Sequence, residues 1–290
     1  MPPTQLHTID LPTTKTKVFY RESGPPTGPV ILLLHGFPSS SHQYRNLIPL
    51  LATKYHVIAP DLPGFGFTFP PQGFSHTFAN LTTTILEFLD TLHIPNFSVY
   101  MFDYGAPIGL RIALQRPHAI QALISQNGNA YEAGLDPSFW APVRALWTSD
   151  NGPEIRAQLA EKLLSYDATK WQYEEGTREG EVVAPEAYTL DYALLQRPGS
   201  VTTQLDLLWD YQRNVELYPQ FQEYFRKSQV PLLAVWGRND RIFGPDGAEA
   251  FRTDLPGAEV HLLEAGHFAA ETETEEVGRL VGGFLDRVVK

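Results

Sequence analysis

The run Val99-Tyr100-Met101-Phe102-Asp103-Tyr104-Gly105-Ala106 joins two segments of opposite character. Before it, Phe97 to Phe102 is apolar throughout and reads as a strand; after it, Gly105 to Gln115 repeats apolar residues at helical spacing. A residue at so sharp a strand-to-helix turn is thrust out at the carboxyl edge of a sheet, with helix N–H groups just behind it. Asp103 therefore has two readings. It is a nucleophile presented at a sheet edge, or it is an N-cap for the helix beginning near Gly105, a position Asp favours. These eight residues alone do not choose between them.

The chain on either side repeats the same rhythm. Upstream, Lys17 to Arg21 reads as a strand, followed by a Gly/Pro-rich turn, Ser23 to Pro29. Pro29 to Leu34 is too uniformly apolar for an edge strand and fits a parallel strand buried on both faces. A helix is expected from Gln43 to Thr53, a strand from His56 to Ala59, and a helix from Thr77 to Leu92. Downstream, Ile120 to Ser125 reads as another buried strand. Strand and helix alternate as they do in a mostly parallel sheet covered on both faces.

From Asn129 to Gln229 that rhythm stops. Successive helical patterns appear instead, several with a proline at a plausible first position, Pro153, Pro185 and Pro219. The sheet pattern resumes at Pro231 to Gly237, with a helix from Asp246 to Thr253, a strand from Glu259 to Leu263, and a final helix from Glu273 to Val289. The expected organisation is a core formed by residues 1–128 and 230–290, interrupted by a helical cap at 129–229. Four of the five tryptophans, Trp140, Trp147, Trp171 and Trp209, fall in that cap. Aromatic helices laid over a sheet's carboxyl edge would wall an apolar pocket, although any single ring is more often simple packing.

Composition narrows the partners. With 22 basic and 33 acidic residues the formal net charge is −11, a field that repels nucleic acid and anionic membrane surfaces. A small, neutral, apolar molecule fits that balance best. There is no cysteine, so disulfides, thiolate nucleophiles and zinc-thiolate sites are excluded, which suits a cytoplasmic protein. Met1 to Pro12 shows no apolar stretch of signal-peptide length. The longest aliphatic run, Val30 to Leu34, is far short of the ~20 residues of a membrane span, so no membrane insertion is expected. A monomer or a homodimer is the expected state.

Three residues fall at three strand ends in the order nucleophile, acid, histidine: Asp103, Asp240 and His267. That is the chain order of the α/β-hydrolases. Together with His35-Gly36-Phe37-Pro38 and the downstream Tyr44-Arg45, the turn Asp61-Leu62-Pro63-Gly64-Phe65-Gly66, the segment Trp236-Gly237-Arg238-Asn239-Asp240 and the loop Gly266-His267-Phe268, the sequence resembles this superfamily over essentially its whole length. Within it, the resemblance is to the branch holding epoxide hydrolases and haloalkane dehalogenases. It implies an α/β-hydrolase fold, a mostly parallel central sheet flanked by helices with a helical cap insertion, and an enzyme without cofactor or metal. Met101 stands two before Asp103, where that branch has a small residue. No carboxylate follows Ile120 to Ser125, where some relatives keep their acid, which favours Asp240 over Glu132.

Aspartate at 103 in place of serine sets the chemistry. A serine hydroxyl needs a base before it can attack, whereas a carboxylate of ordinary pKa ~3.9 is already anionic at neutral pH. Attack on an ester carbonyl would give a reactive anhydride, but attack on an electrophilic sp³ carbon gives a stable alkyl ester. His267, oriented by Asp240, is then free to deprotonate the water that hydrolyses this ester. The backbone N–H groups of Phe37 and Tyr104 would form the oxyanion hole.

The leaving group separates the candidate reactions. An epoxide opens to a strongly basic alkoxide, which a tyrosine hydroxyl can stabilise; a halide needs only weak N–H donors. In haloalkane dehalogenases the resemblance would lead one to expect Asn after His-Gly and Trp after the nucleophile, where this chain has Phe37 and Tyr104. Fluoroacetate-type dehalogenases have an arginine at the position of Tyr104. Trp209-Asp210-Tyr211-Gln212-Arg213-Asn214 resembles the segment carrying the ring-opening tyrosine of epoxide hydrolases, which implies that role for Tyr211. Tyr131, Tyr173 and Tyr188 are candidates for a second cap tyrosine, with Trp140 as a possible replacement. Trp140, Tyr131 and Phe268 are expected to line the pocket. The favoured expectation is an epoxide hydrolase working through an ester on Asp103; the alternatives are a haloalkane dehalogenase with an unusual halide site and a non-catalytic small-molecule-binding relative.

Overall fold

The computed structural model describes residues 2–289. Its strands are β1 (Gln5–Asp10), β2 (Lys17–Ser23), β3 (Val30–Leu34), β4 (His56–Pro60), β5 (Phe97–Phe102), β6 (Ile120–Gln126), β7 (Leu232–Gly237) and β8 (Glu259–Leu263). They form one eight-stranded sheet in the order β1-β2-β4-β3-β5-β6-β7-β8. From β4 to β8 every neighbouring pair is parallel, and only β1 with β2 and β2 with β4 are antiparallel.

The helices are α1 (Leu47–Leu51), α2 (Phe78–Thr91), α3 (Gly105–Gln115), α4 (Pro137–Thr148), α5 (Pro153–Leu163), α6 (Tyr166–Glu174), α7 (Pro185–Leu195), α8 (Ser200–Asp210), α9 (Gln212–Ser228), α10 (Asp246–Asp254), α11 (Ala269–Thr272) and α12 (Thr274–Val288). Because strand side chains alternate, each central strand supplies two cores. Ile31, Leu33, Tyr100, Phe102, Val235 and their neighbours pack with residues of α1 and α12. Leu32, Leu34, Val99, Met101 and Ala234 pack on the other face with α2, α3 and α10. Burial on both faces explains why these strands carry no polar alternation.

Two expectations need correction, and one strand is added. The helix expected over Gln43 to Thr53 is a short 3₁₀ turn, Ser41–Tyr44, followed by the brief α1. Pro49 has no N–H to bond back along a helix begun at Gln43, whereas in the first turn of α1, begun at Leu47, none is needed. Pro219 does not open a helix; it lies inside α9, whereas Pro153 and Pro185 do stand at the starts of α5 and α7. The segment before Pro12 forms the edge strand β1, held by antiparallel pairing to β2. Its side chains are mostly exposed, so it carries little of the apolar signal by which a strand is recognised.

Between β6 and β7 run the six helices α4 to α9, with no named strand among the described residues; an isolated bridge from Leu135 to Phe243 ties the start of this segment to the chain after β7. Among the described residues no helix is long and apolar enough to cross a membrane.

Candidate active site

Since β3, β5, β7 and β8 are parallel, Phe37, Asp103, Asp240 and His267, each following one of these strands, meet at the same carboxyl edge. Asp103 takes φ 47°, the left-handed conformation that a sharp turn demands. It does not cap α3, whose N-cap is Tyr104 without a side-chain cap bond. Close approach makes room for the turn. A Cβ on Gly105 would lie 2.2 Å from the Leu34 carbonyl oxygen, and one on Gly36 would lie 2.2 Å from Asp103 Oδ1. Met101 is accommodated against Gly109 of α3, where an added Cβ would meet its sulfur at 3.3 Å.

The Phe37 N–H donates to Asp103 Oδ1 at 2.6 Å, and the Tyr104 N–H acts on the carboxylate in the same sense, favouring its charged form. Asp103 Oδ2 faces His267 Nε2 at 3.9 Å. His267 Nδ1 lies 2.8 Å from Asp240 Oδ2, so Asp240 fixes the ring and leaves Nε2, which is buried without a partner, aimed at Asp103. Asp240 is itself held by the Ile242 N–H at 2.7 Å and by Asn127 Nδ2 at 2.7 Å.

Burial sets the charge states. Asp103, 5% exposed, is raised to about 6 by desolvation, against the opposing pull of His267 and the Phe37 and Tyr104 N–H groups. Burial pulls His267 down, but the charge and hydrogen bond of Asp240 and the charge of Asp103 outweigh it and leave the imidazole above its ordinary value. His35 has a different use. Its Nε2 accepts the Leu62 N–H at 2.9 Å, and burial holds the ring below its ordinary pKa, so it is a neutral brace for the Asp61 turn.

Tyr211 is buried, with its ring centroid 5.9 Å from that of Tyr104, the residue next to Asp103, 5.6 Å from Phe78 and 4.7 Å from Trp140. The Tyr211 and Tyr104 hydroxyls are both buried, neither within hydrogen-bond geometry of a partner, with the Tyr218 hydroxyl the close neighbour of Tyr211, and both feel the Asp103 charge. Burial pushes both phenols well above their ordinary pKa, which keeps them protonated.

The other aromatic expectations divide. Trp140 packs on Tyr211, but its indole N–H is spent on the Ile242 carbonyl at 2.9 Å, so it cannot replace a second tyrosine as donor. Tyr131 donates to Asp254 at 2.8 Å and packs on Phe225 and Phe251, as a contact of the fold and not as a pocket wall. Tyr173 donates to Asp191, and Tyr188 packs on Tyr166 and Tyr173. The second unpartnered phenol that feels the Asp103 charge belongs instead to Tyr104. Phe268 lies against the His267 ring at 5.3 Å, behind it and stacked on Tyr173. Asn127 was not anticipated, although a polar side chain ending β6 at the carboxyl edge was the available signal. Between His267 and Asp240 on one side and Trp171, Gln172, Arg241 and Ile242 on the other lies only a crevice with no room for a water molecule. Among the described residues no cluster of His, Asp or Glu could hold a metal ion.

Residues 29–274 match the alpha/beta hydrolase fold family. An uncharacterized hydrolase of Saccharomyces cerevisiae is 50% identical over 257 residues, covering 88% of this chain and 89% of its own. A haloalkane dehalogenase of Psychrobacter cryohalolentis is 35% identical over 301 residues, covering 98% of this chain and 92% of its own. Among solved structures, a haloalkane dehalogenase from Bradyrhizobium elkani superposes with a TM-score of 0.77 at 22% identity, covering 99% of each chain, a likeness of fold.

Proposed function

Because the chain belongs to the alpha/beta hydrolase fold family, in its dehalogenase-like branch, we propose that it is an epoxide hydrolase acting through an alkyl ester on Asp103. One observation carries the choice of substrate. The phenols of Tyr211 and Tyr104 are unpartnered and feel the charge of the candidate nucleophile, while the indole N–H groups of Trp140, Trp147 and Trp236 are committed to backbone carbonyls and, of the buried indoles, that of Trp209 stands free. Phenols suit an alkoxide; a halide would ask for those indoles.

In this reading Asp103 Oδ2 attacks an epoxide carbon, the ring C–O bond breaks, and the Tyr211 hydroxyl meets the new alkoxide and supplies its proton. Alkylation neutralises Asp103 and so removes one of the charges that hold His267 protonated. More of the imidazole is then in the neutral form that can accept a proton when one must be taken from water. It takes a proton from water, the hydroxide adds to the Asp103 carbonyl carbon, and charge develops on Oδ1, already 2.6 Å from the Phe37 nitrogen. Collapse of that intermediate releases the diol, and the proton held by His267 restores Tyr211.

The relatives named as haloalkane dehalogenases favour a second reading, halide displacement by the same carboxylate. Diol formation from aryl and alkyl epoxides, measured beside halide release from bromoalkanes, separates the two. Diol is expected, with Tyr211→Phe losing about 10²-fold in ring opening, the scale of one lost transition-state donor. His267→Gln is expected to accumulate an ester, read as a mass increase on Asp103. Halide without diol would overturn the substrate assignment, and no adduct from either substrate class would overturn the covalent route.

A further inference from the structure

Behind the candidate site lies a buried polar group that the proposed reaction does not use. Tyr173 of α6 donates its hydroxyl to Asp191 Oδ2 of α7 at 2.5 Å and stands 3.3 Å from Ser39 Oγ. All three side chains are buried, Asp191 completely. Ser39 is two residues from Phe37, in the same turn, where its N–H closes on the Gly36 carbonyl at 3.0 Å. The ring of Tyr173 meanwhile stacks on Phe268, with centroids 3.7 Å apart and planes 12° from parallel. Phe268 directly follows His267. One side chain from the helical segment between β6 and β7 thus touches both the loop that presents the Phe37 N–H and the loop that presents the imidazole.

The geometry points to Tyr173, held by Asp191, as a positioning residue that keeps these two loops in register for hydrolysis of the Asp103 ester. This rests on the reaction proposed above and adds to it a residue with a one-sided effect. The Phe37 N–H stabilises the free carboxylate of Asp103, and alkylation removes that charge. A loosened loop therefore does nothing to hinder ester formation, and can speed it. Hydrolysis returns negative charge to Oδ1, so the same loosening slows the second step. Residues that merely hold the fold together do not split the two steps in this way.

Asp191 is suited to the task. Burial raises its pKa to about 8, so it is predominantly neutral at pH 7 and adds no charge behind the site. A neutral carboxyl can be replaced by an amide of the same shape with its acceptor oxygen kept.

Single-turnover quench with mass spectrometry of the full-length protein reads both steps on Asp103. In Tyr173→Phe, which keeps the ring on Phe268 and removes only the hydroxyl, ester formation should be unchanged or faster. Ester decay should be about tenfold slower, less than the 10²–10³-fold typical when an oxyanion donor is lost outright. Asp191→Asn should decay close to the wild-type rate, and Asp191→Ala should follow Tyr173→Phe. Equal slowing of both steps, or decay at the wild-type rate in Tyr173→Phe, overturns the positioning role while leaving the covalent route standing. Absence of any ester in His267→Gln overturns both, since Tyr173 acts here only on the ester.

Discussion

At the scale of single residues the site turns on how burial retunes ionisable groups. Asp103 must be anionic to attack, yet desolvation raises it to about 6. Protonation removes the nucleophile, so the rate of ester formation should be level above that pH and fall about tenfold per unit below it. Single-turnover alkylation followed from about pH 4.5 to 8.5 checks this, and a rate that stays level down to the lowest pH, as for the ordinary carboxylate value of ~3.9, would show that Asp103 is not desolvated as it stands here. The positions of Asp103, Asp240 and His267 at strand ends were legible because a strand end is local information. The uses of Tyr131 and Trp140 were not, because their partners, Asp254 and the Ile242 carbonyl, lie about a hundred residues away in sequence. The free phenol of Tyr104 was not legible for the opposite reason: in sequence the residue after Asp103 reads as a backbone donor, and only packing leaves its hydroxyl without a partner.

At the scale of elements, β5 and α3 fall where apolar runs and helical spacing put them, at Phe97–Phe102 and Gly105–Gln115. β1 and the interior proline of α9 did not, since edge pairing and tertiary packing override local signals in those places. Pro219 removes the N–H that would bond to Val215 in α9, and its side chain is exposed. Pro219→Ala restores that bond without disturbing packing and should stabilise the protein by about 1–3 kcal/mol, part of the ~3 kcal/mol cost of an interior helix proline. The urea midpoint should rise accordingly. A fall would mean that a bend at Pro219 is needed to seat α9 on α3.

For the whole molecule, net charge and site chemistry point the same way. A protein of charge −11 with an aromatic-walled site should treat neutral and anionic substrates differently. For a neutral epoxide, kcat/KM should stay constant between 50 and 500 mM salt. An epoxide of similar size bearing a carboxylate should react more slowly and gain rate as salt screens the repulsion. If both substrates respond alike to ionic strength, the long-range field has no part in substrate choice.

The sequence alone determined the alternation of buried strands and helices, and with it which residues end up at the carboxyl edge, because burial pattern and turn chemistry are written in neighbouring residues. It also determined that position 103 offers a carboxylate. Only the tertiary structure decided which polar groups remain free there. Whether Trp140, Tyr131, Tyr173 or Tyr211 can serve a substrate depends on whether its hydrogen is already donated elsewhere, and a buried donor takes whatever acceptor the packed chain brings within about 3 Å of it.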